Sequence, residues 1–243
     1  NLALIIGKKK LINIDQWLKL FSKGLAVDQK KFGIRLIGGD TVTSLGPTSI
    51  CISIFGTPNP KGSLLRCGAM VGDGIFVSGT IGDAALGLRL RGNRSLSCLS
   101  KENSYCISRY RIPRPRIELG LALGGMASAA MDISDGLFQD LSHLCGASNV
   151  GASVQANKIP LSKEVSTFVN ENKFSIEHVI TGGDDYELIF TAPVTKEKSI
   201  FNLARVTKTR ITRIGTVQSG RGIFIFDKRG NIIPVSKGGY SHD

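Results

Sequence analysis

The stretch Ala130-Met131-Asp132-Ile133-Ser134-Asp135-Gly136-Leu137 constrains the fold more than any other, because a short apolar run breaks into two carboxylates and then opens an amphipathic helix. Such a run, followed by glycine and a helical pattern, predicts a strand handing over to a helix. Asp132 and Asp135 are then expected to sit close together, beside free backbone N–H groups at the helix start. Two like charges that close repel unless a cation or a shared proton lies between them. Hard oxygen ligands of this kind suit Mg²⁺, which keeps several waters and is usually completed by substrate phosphates. The same residues also read as a plain helix start, with Ser134 or Asp135 as N-cap and Gly136 easing the turn.

Recurrence favours the metal–phosphate reading. Gly38-Gly39-Asp40-Thr41 follows the apolar run Ile34 to Ile37, and Gly182-Gly183-Asp184-Asp185-Tyr186-Glu187-Leu188 follows Val179-Ile180-Thr181. Glycine at such places lets the backbone approach a ligand, while the carboxylates hold ions. The net charge of +12, from 31 Lys and Arg against 19 Asp and Glu, favours anionic partners. Its densest cluster, Arg109, Arg111, Arg114 and Arg116, reads as a solvated basic face. Zinc-finger spacing, RNP-like aromatics and a long basic helix are absent, so no nucleic-acid partner is expected.

In chain order, residues 1 to 6, Ile34 to Ile37 and Thr48 to Phe55 read as strands, and Asn13 to Lys31 as a helix capped by Asn13. The turn formers Thr57-Pro58-Asn59-Pro60-Lys61-Gly62 predict a boundary between domains at 1–58 and 59–243. Beyond it, Gly74 to Val77 is a strand, Ile81 to Leu90 a helix, Arg91 to Cys106 an irregular insertion, and Arg116 to Ala127 a helix. A helix from Leu137 to Ala147, a strand from Val150 to Gln155 and a helix from Ser162 to Asn172 follow. Glu187 to Thr191, Ile211 to Val217, Gly222 to Phe226 and Ile232 to Val235 are expected strands. This alternation indicates an α/β fold of mixed-sheet layers.

No apolar run approaches the ~20 residues of a membrane span. The five cysteines, Cys51, Cys67, Cys98, Cys106 and Cys145, are scattered and unpaired, which fits free thiols in a reducing cytoplasm, each a buried small apolar residue. A G-x-x-x-x-G-K-[ST] loop, a kinase H-R-D or D-F-G set and a G-x-S-x-G elbow are all missing. A nucleotide would have to be held by carboxylate-bound metal and backbone.

Six motifs in register carry a family resemblance: Gly-Gly-Asp-Thr at 38–41, Arg66-Cys67-Gly68-Ala69 with Gly72-Asp73, Val77 to Ala85, Asp132 to Leu137, Gly-Gly-Asp-Asp-Tyr-Glu-Leu at 182–188 and Gly239-Tyr240-Ser241-His242. In order they resemble the thiamine-monophosphate kinases of the aminoimidazole ribonucleotide synthetase and selenophosphate synthetase superfamily. The resemblance implies a two-domain fold of that superfamily, with 1–58 the remainder of an ATP/Mg-binding and dimerisation domain. It implies direct phosphoryl transfer from ATP to thiamine monophosphate, which needs positioning and charge neutralisation rather than a strong nucleophile. Asp40, Asp132 and Asp135 would ligate Mg²⁺, with Asp132 and Asp135 at the catalytic centre. Gly39, Asp40, Arg66 and Ser134 would face ATP, and Asp184 and Tyr240 the thiamine moiety. Asp184 stands where the family usually has glutamate.

The family's upstream segments, which carry a glycine–aspartate–aspartate turn and a threonine–aspartate motif, are not found here. An N-terminally shortened copy is therefore expected, with part of the Mg²⁺ ligand set missing and turnover impaired. Family members are homodimers that pair their N-terminal strands, so a homodimer with exposed strand edges is also implied. The competing readings are another ATP-dependent synthetase of the superfamily and a basic nucleic-acid-binding protein.

Overall fold

In the computed structural model, which describes residues 1–7, 13–92, 101–235 and 238–239, the chain divides into two units, Asn1–Thr57 and Pro58–Asp243. The first is a small βαβ arrangement. Strand β1 (Leu2–Gly7) lies between β2 (Gly39–Ser44), parallel to it, and β3 (Ser49–Ile52), antiparallel to it. Helix α1 (Ile14–Phe32) makes the crossover; Asn13 caps it by accepting the Gln16 N–H at 2.9 Å, and Gly33 ends it at φ 65°. Trp17 and Phe21 stack along the helix at 5.1 Å.

The register corrects one expectation. Leu2 pairs with Gly39 and Ala3 with Asp40, so Gly39 and Asp40 belong to strand β2, and residues 34–37 form the connection before it. Ile34, Leu36 and Ile37 lie beyond the end of the ladder, where no described strand stands beside them. The strand expected over Thr48 to Phe55 is shorter, at Ser49–Ile52.

The second unit is built on a six-stranded sheet in the order β5-β7-β4-β8-β6-β9. The strands are β4 (Gly74–Ser78), β5 (Ala129–Ile133), β6 (Gly151–Gln155), β7 (Glu187–Ala192), β8 (Ile211–Gln218) and β9 (Ile223–Phe226). Neighbours run antiparallel except β6 and β9, which are parallel. Strand β4 is buried at all five positions between β7 and β8.

Alternation along these strands splits the core in two. Ile75, Val77, Ile133 and Ile189 join Leu86, Leu90, Leu137, Leu141 and Leu144 in the larger cluster. Those leucines come from α2 (Asp83–Gly92) and α5 (Leu137–Ser148), and Cys106, Val165 and Val179 add α3 (Lys101–Arg111), α6 (Lys163–Asn170) and α7 (Ile176–Thr181). Phe76, Ala130 and Phe190 point into the other cluster with Leu119 of α4 (Ile117–Ala122) and Ile200 of α8 (Glu197–Val206). Helices cover both faces, giving the mixed α/β layers read from the sequence.

Several segments differ from that reading. Part of the expected irregular insertion, from Lys101 on, is helix α3, packed on α2; residues 93–100 of it lie outside the described residues. The helix expected over Arg116 to Ala127 spans only Ile117–Ala122, as its glycines at 124 and 125 suggest. Ile232 to Val235 reduces to a single bridge between Phe226 and Ile232. Val179 and Ile180 belong to helix α7, and α8 had not been anticipated.

Candidate functional site

Strand β5 is the outer strand of the second unit's sheet and pairs with β7, Asp132 opposite Leu188 and Ile133 opposite Glu187. Two loops meet at this end of the pair. The Ile133 carbonyl accepts the Tyr186 N–H and the Ser134 carbonyl accepts the Asp184 N–H, both at 2.8 Å. Loop 134–136 and loop 182–186 are thus joined by main-chain bonds. Their approach requires glycine: Gly136 has φ 120°, and a Cβ there would stand 2.7 Å from the Thr181 carbonyl oxygen. Asp184 and Tyr186 take left-handed angles, φ 69° and 49°. Aspartate tolerates this region, whereas tyrosine holds it at a cost of about 1 kcal/mol or more.

Asp135, Asp184 and Tyr186 line one cleft. Partial burial pushes the Tyr186 phenol above its ordinary range, and the charges of Asp184, Asp132 and Asp135 push it the same way. Asp132 and Asp135 therefore do share a neighbourhood, and Asp184 joins them. Among the described residues no three acidic, histidine or cysteine side chains close into a metal cage. An open set of carboxylates fits Mg²⁺, whose remaining positions fall to water and phosphate oxygens.

The backbone N–H groups of loop 134–136, just before α5, are engaged. Asp140, four residues into the helix and 1% exposed, turns back so that its Oδ2 accepts the N–H groups of Ser134, Asp135 and Gly136 at 2.9, 3.0 and 3.2 Å. Burial raises its carboxyl, the N–H bonds from Asp135 and Ser134 oppose the rise, and the charges of Asp135 and Asp132 add to it.

Under the second loop lies a buried charge cluster. Asp185 accepts the N–H of Gly82 at 2.6 Å and of Ala84 at 3.0 Å, capping α2 from a distant part of the chain. Burial pushes its carboxyl up to about 7. Glu187, fully buried, receives Arg116 at 2.7 and 2.5 Å, Arg109 at 2.9 Å and the Ser78 hydroxyl at 2.5 Å. Arg109 and Arg116 are accordingly not a solvated face. They neutralise a carboxylate that could not otherwise be buried.

The two loops border a cleft of about 830 Å³ that also receives Arg89, Tyr110, Phe174 and His178. His178 stacks on Phe174 at 5.4 Å, and the Arg89 guanidinium lies 5.9 Å from the same ring. The cleft thus offers carboxylates, one guanidinium and aromatic faces together.

Of the other expected site residues, Arg66 is exposed and follows Leu65, whose carbonyl accepts the Ala130 N–H of β5 at 2.8 Å. Gly39 and Asp40 lie in the first unit on β2, exposed, with Asp40 Oδ1 accepting the Thr41 N–H at 2.8 Å. Tyr240 lies outside the described residues. Its neighbour Gly239 packs so near the helix start that a Cβ would stand 2.5 Å from the Asp135 carbonyl oxygen. Cys106 and Cys145 are buried, burial raising the Cys145 thiol to about 11, whereas Cys51 and Cys67 are exposed and so are not small core residues. Cys98 lies outside the described residues.

Sequence reasoning missed Tyr186, Asp140, Asp185, Glu187, Arg109 and Arg116. Asp140 alone left a local signal, an acid one turn past the Ser-Asp-Gly start.

Residues 70–228 match the family described as AIR synthase related protein, C-terminal domain. The thiamine-monophosphate kinase of Buchnera aphidicola from Schizaphis graminum is 37% identical over 230 residues, 93% of this chain and 69% of the relative. The crystal structure of thiamine-monophosphate kinase from Stenotrophomonas maltophilia K279a superposes with a TM-score of 0.79 at 33% identity, over 92% of this chain and 71% of that one. The structure of AaThiL complexed with AMPPCP and TMP superposes with a TM-score of 0.78 at 27% identity, over all of this chain and 72% of that one.

Proposed function

Because the chain belongs to the thiamine-monophosphate kinase family of AIR synthase related proteins, we propose that it transfers a phosphoryl group from ATP to the phosphate of thiamine monophosphate, giving thiamine diphosphate. The observation that supports this reading is the junction of loops 134–136 and 182–186, which lies at a cleft lined by Asp135 and Asp184 with Tyr110 and Phe174, next to the strand that carries Asp132. Phosphoryl transfer asks the protein for alignment and charge neutralisation, not for a covalent nucleophile.

Asp132 and Asp135, with Asp40, are assigned to Mg²⁺, which when bound neutralises the phosphate oxygens and draws charge from the bond that breaks. Gly39, Arg66 and Ser134 are assigned to ATP. Arg66 does so as a point of positive charge beside β5, and Ser134 through its side chain, since its N–H is taken. Asp184 and Tyr240 are assigned to the thiamine moiety, whose cationic ring suits a carboxylate and the faces of Tyr110 and Phe174. The shorter Asp184 retains the charge of glutamate.

A homodimer is assigned to the first unit, where Val42, Ile50 and Ile52 of the outer strands are about half exposed. Sedimentation at micromolar concentration, with and without a Val42→Lys substitution, tests it. A cytoplasmic location is assigned from the unpaired thiols; among the described residues no helix is long and apolar enough to cross a membrane.

The kinase assignment is tested by ³¹P NMR of thiamine monophosphate with ATP and Mg²⁺, using the chain alone and extended upstream. Thiamine diphosphate should form in step with ADP. Asp132→Asn and Asp135→Asn should each lower kcat by about 100-fold or more, the scale of losing one preorganised charge-stabilising group. Turnover of an aminoimidazole precursor in its place assigns the chain to another branch.

A further inference from the structure

The start of α5 has the sequence of a phosphate cradle and the geometry of its opposite. All three amide donors of Ser134, Asp135 and Gly136 converge on one buried oxygen, Oδ2 of Asp140. The positive end of the helix dipole is thereby met from inside by a carboxylate of the same helix. What the loop shows to the cleft is the opposite charge, since Asp135 lines it together with Asp184. A bare phosphate arriving here finds the three main-chain donors of this loop already engaged.

We propose that Asp140 is a positioning residue that commits the main chain of loop 134–136 to cations: it withdraws the three amide donors from phosphate and fixes the Asp135 backbone, so that the main chain of this loop meets a polyphosphate only through divalent ions. This rests on the phosphotransfer reading. It differs from plain helix capping in its consequence for ligands. A cap stabilises the helix whatever binds, whereas this carboxylate sets the sign of what binds.

Asp140→Asn keeps the shape but puts an amide where three donors need an acceptor, and Asp140→Ala releases them all. Both should weaken Mn²⁺ binding, read by electron paramagnetic resonance as loss of the free-ion signal, by about 10–100-fold, the scale seen when a group supporting metal ligands is removed. The Mg²⁺ needed for half-maximal turnover should rise in step, with KM for thiamine monophosphate unchanged. In Asp140→Ala, inorganic phosphate without metal should move the amide resonances of Ser134, Asp135 and Gly136. In the unsubstituted chain the same phosphate should leave them in place, a measurement that needs no variant to fold.

Movement of those amides in the unsubstituted chain overturns the proposal. So does Mn²⁺ affinity that is unchanged in the folded variants while only their thermal stability drops, and so does failure of the unsubstituted chain to take up Mn²⁺. If the chain makes no thiamine diphosphate even when extended upstream, yet the amide and Mn²⁺ results hold, the kinase reading falls and the role of Asp140 stands.

Discussion

Asp185 shows how a single residue next to the cleft can serve the frame. Its carboxyl titrates at about 7 in the folded chain because burial disfavours the charge, against about 3.9 for an unfolded aspartate. Between those values the folded state keeps a proton that the unfolded state has lost. Stability is therefore greatest below pH 4 as far as this group is concerned, falls as pH rises to about 7, and is level above. The steepest slope is about 1.4 kcal/mol per pH unit. Urea unfolding from pH 4.5 to 8 should show this fall, and Asp185→Asn should remove it. The variant should also lose about 1–3 kcal/mol at pH 7, because its amide group faces one of the N–H donors of Gly82 and Ala84. The same slope in both proteins would refute the assignment. Adjacent acids in one motif thus divide the work, Asp184 beside the cleft and Asp185 beneath it. Nothing in their order of sequence distinguishes them, since the partners of Asp185 lie more than a hundred positions away. Asp132 and Asp135 were legible because their setting is local, an apolar run ending at a helix start.

At the scale of elements, the Arg109 and Arg116 side chains hold β7 to the helical layer through Glu187. Removing one partner of a buried ion pair leaves a charge without compensation. Glu187→Leu, which strands the buried Arg109 guanidinium, should lower the unfolding free energy by about 3 kcal/mol, and adding Arg109→Met should restore part of it. Denaturant midpoints of the two variants decide the matter, and a double variant less stable than the single one would contradict it. The basic cluster looked solvated in the sequence because its acid lies 71 or more positions downstream. Helix α3 escaped notice for a related reason. Its residues are mostly polar, and what it buries is Cys106 and the Arg109 guanidinium rather than an apolar stripe. Helix α8 did leave a signal in Ile200, Leu203 and Ala204 at helical spacing, and both β5–α5 and α1 were evident from theirs.

The two units of the molecule differ in what they bury. The first buries only Leu4 and Ile6 among its apolar side chains in the described residues, and no residue of α1 is buried. The second carries both large clusters. A chain of residues 58–243 is therefore expected to unfold cooperatively, while residues 1–57 alone should give the circular dichroism of a largely unfolded peptide. A cooperative melt of 1–57 at low concentration would contradict this. The α/β layering was legible because strand and helix periods alternate clearly. The strand order was not, because β4 pairs with β7 and β8 at separations no local pattern encodes.

The junction between the two acidic loops has one more consequence. Main-chain atoms alone stitch them, at Ile133 with Tyr186 and at Ser134 with Asp184. The junction itself asks nothing of the side chains beside the cleft, so one acid there can be exchanged for another, retuning what is recognised without rebuilding the scaffold beneath.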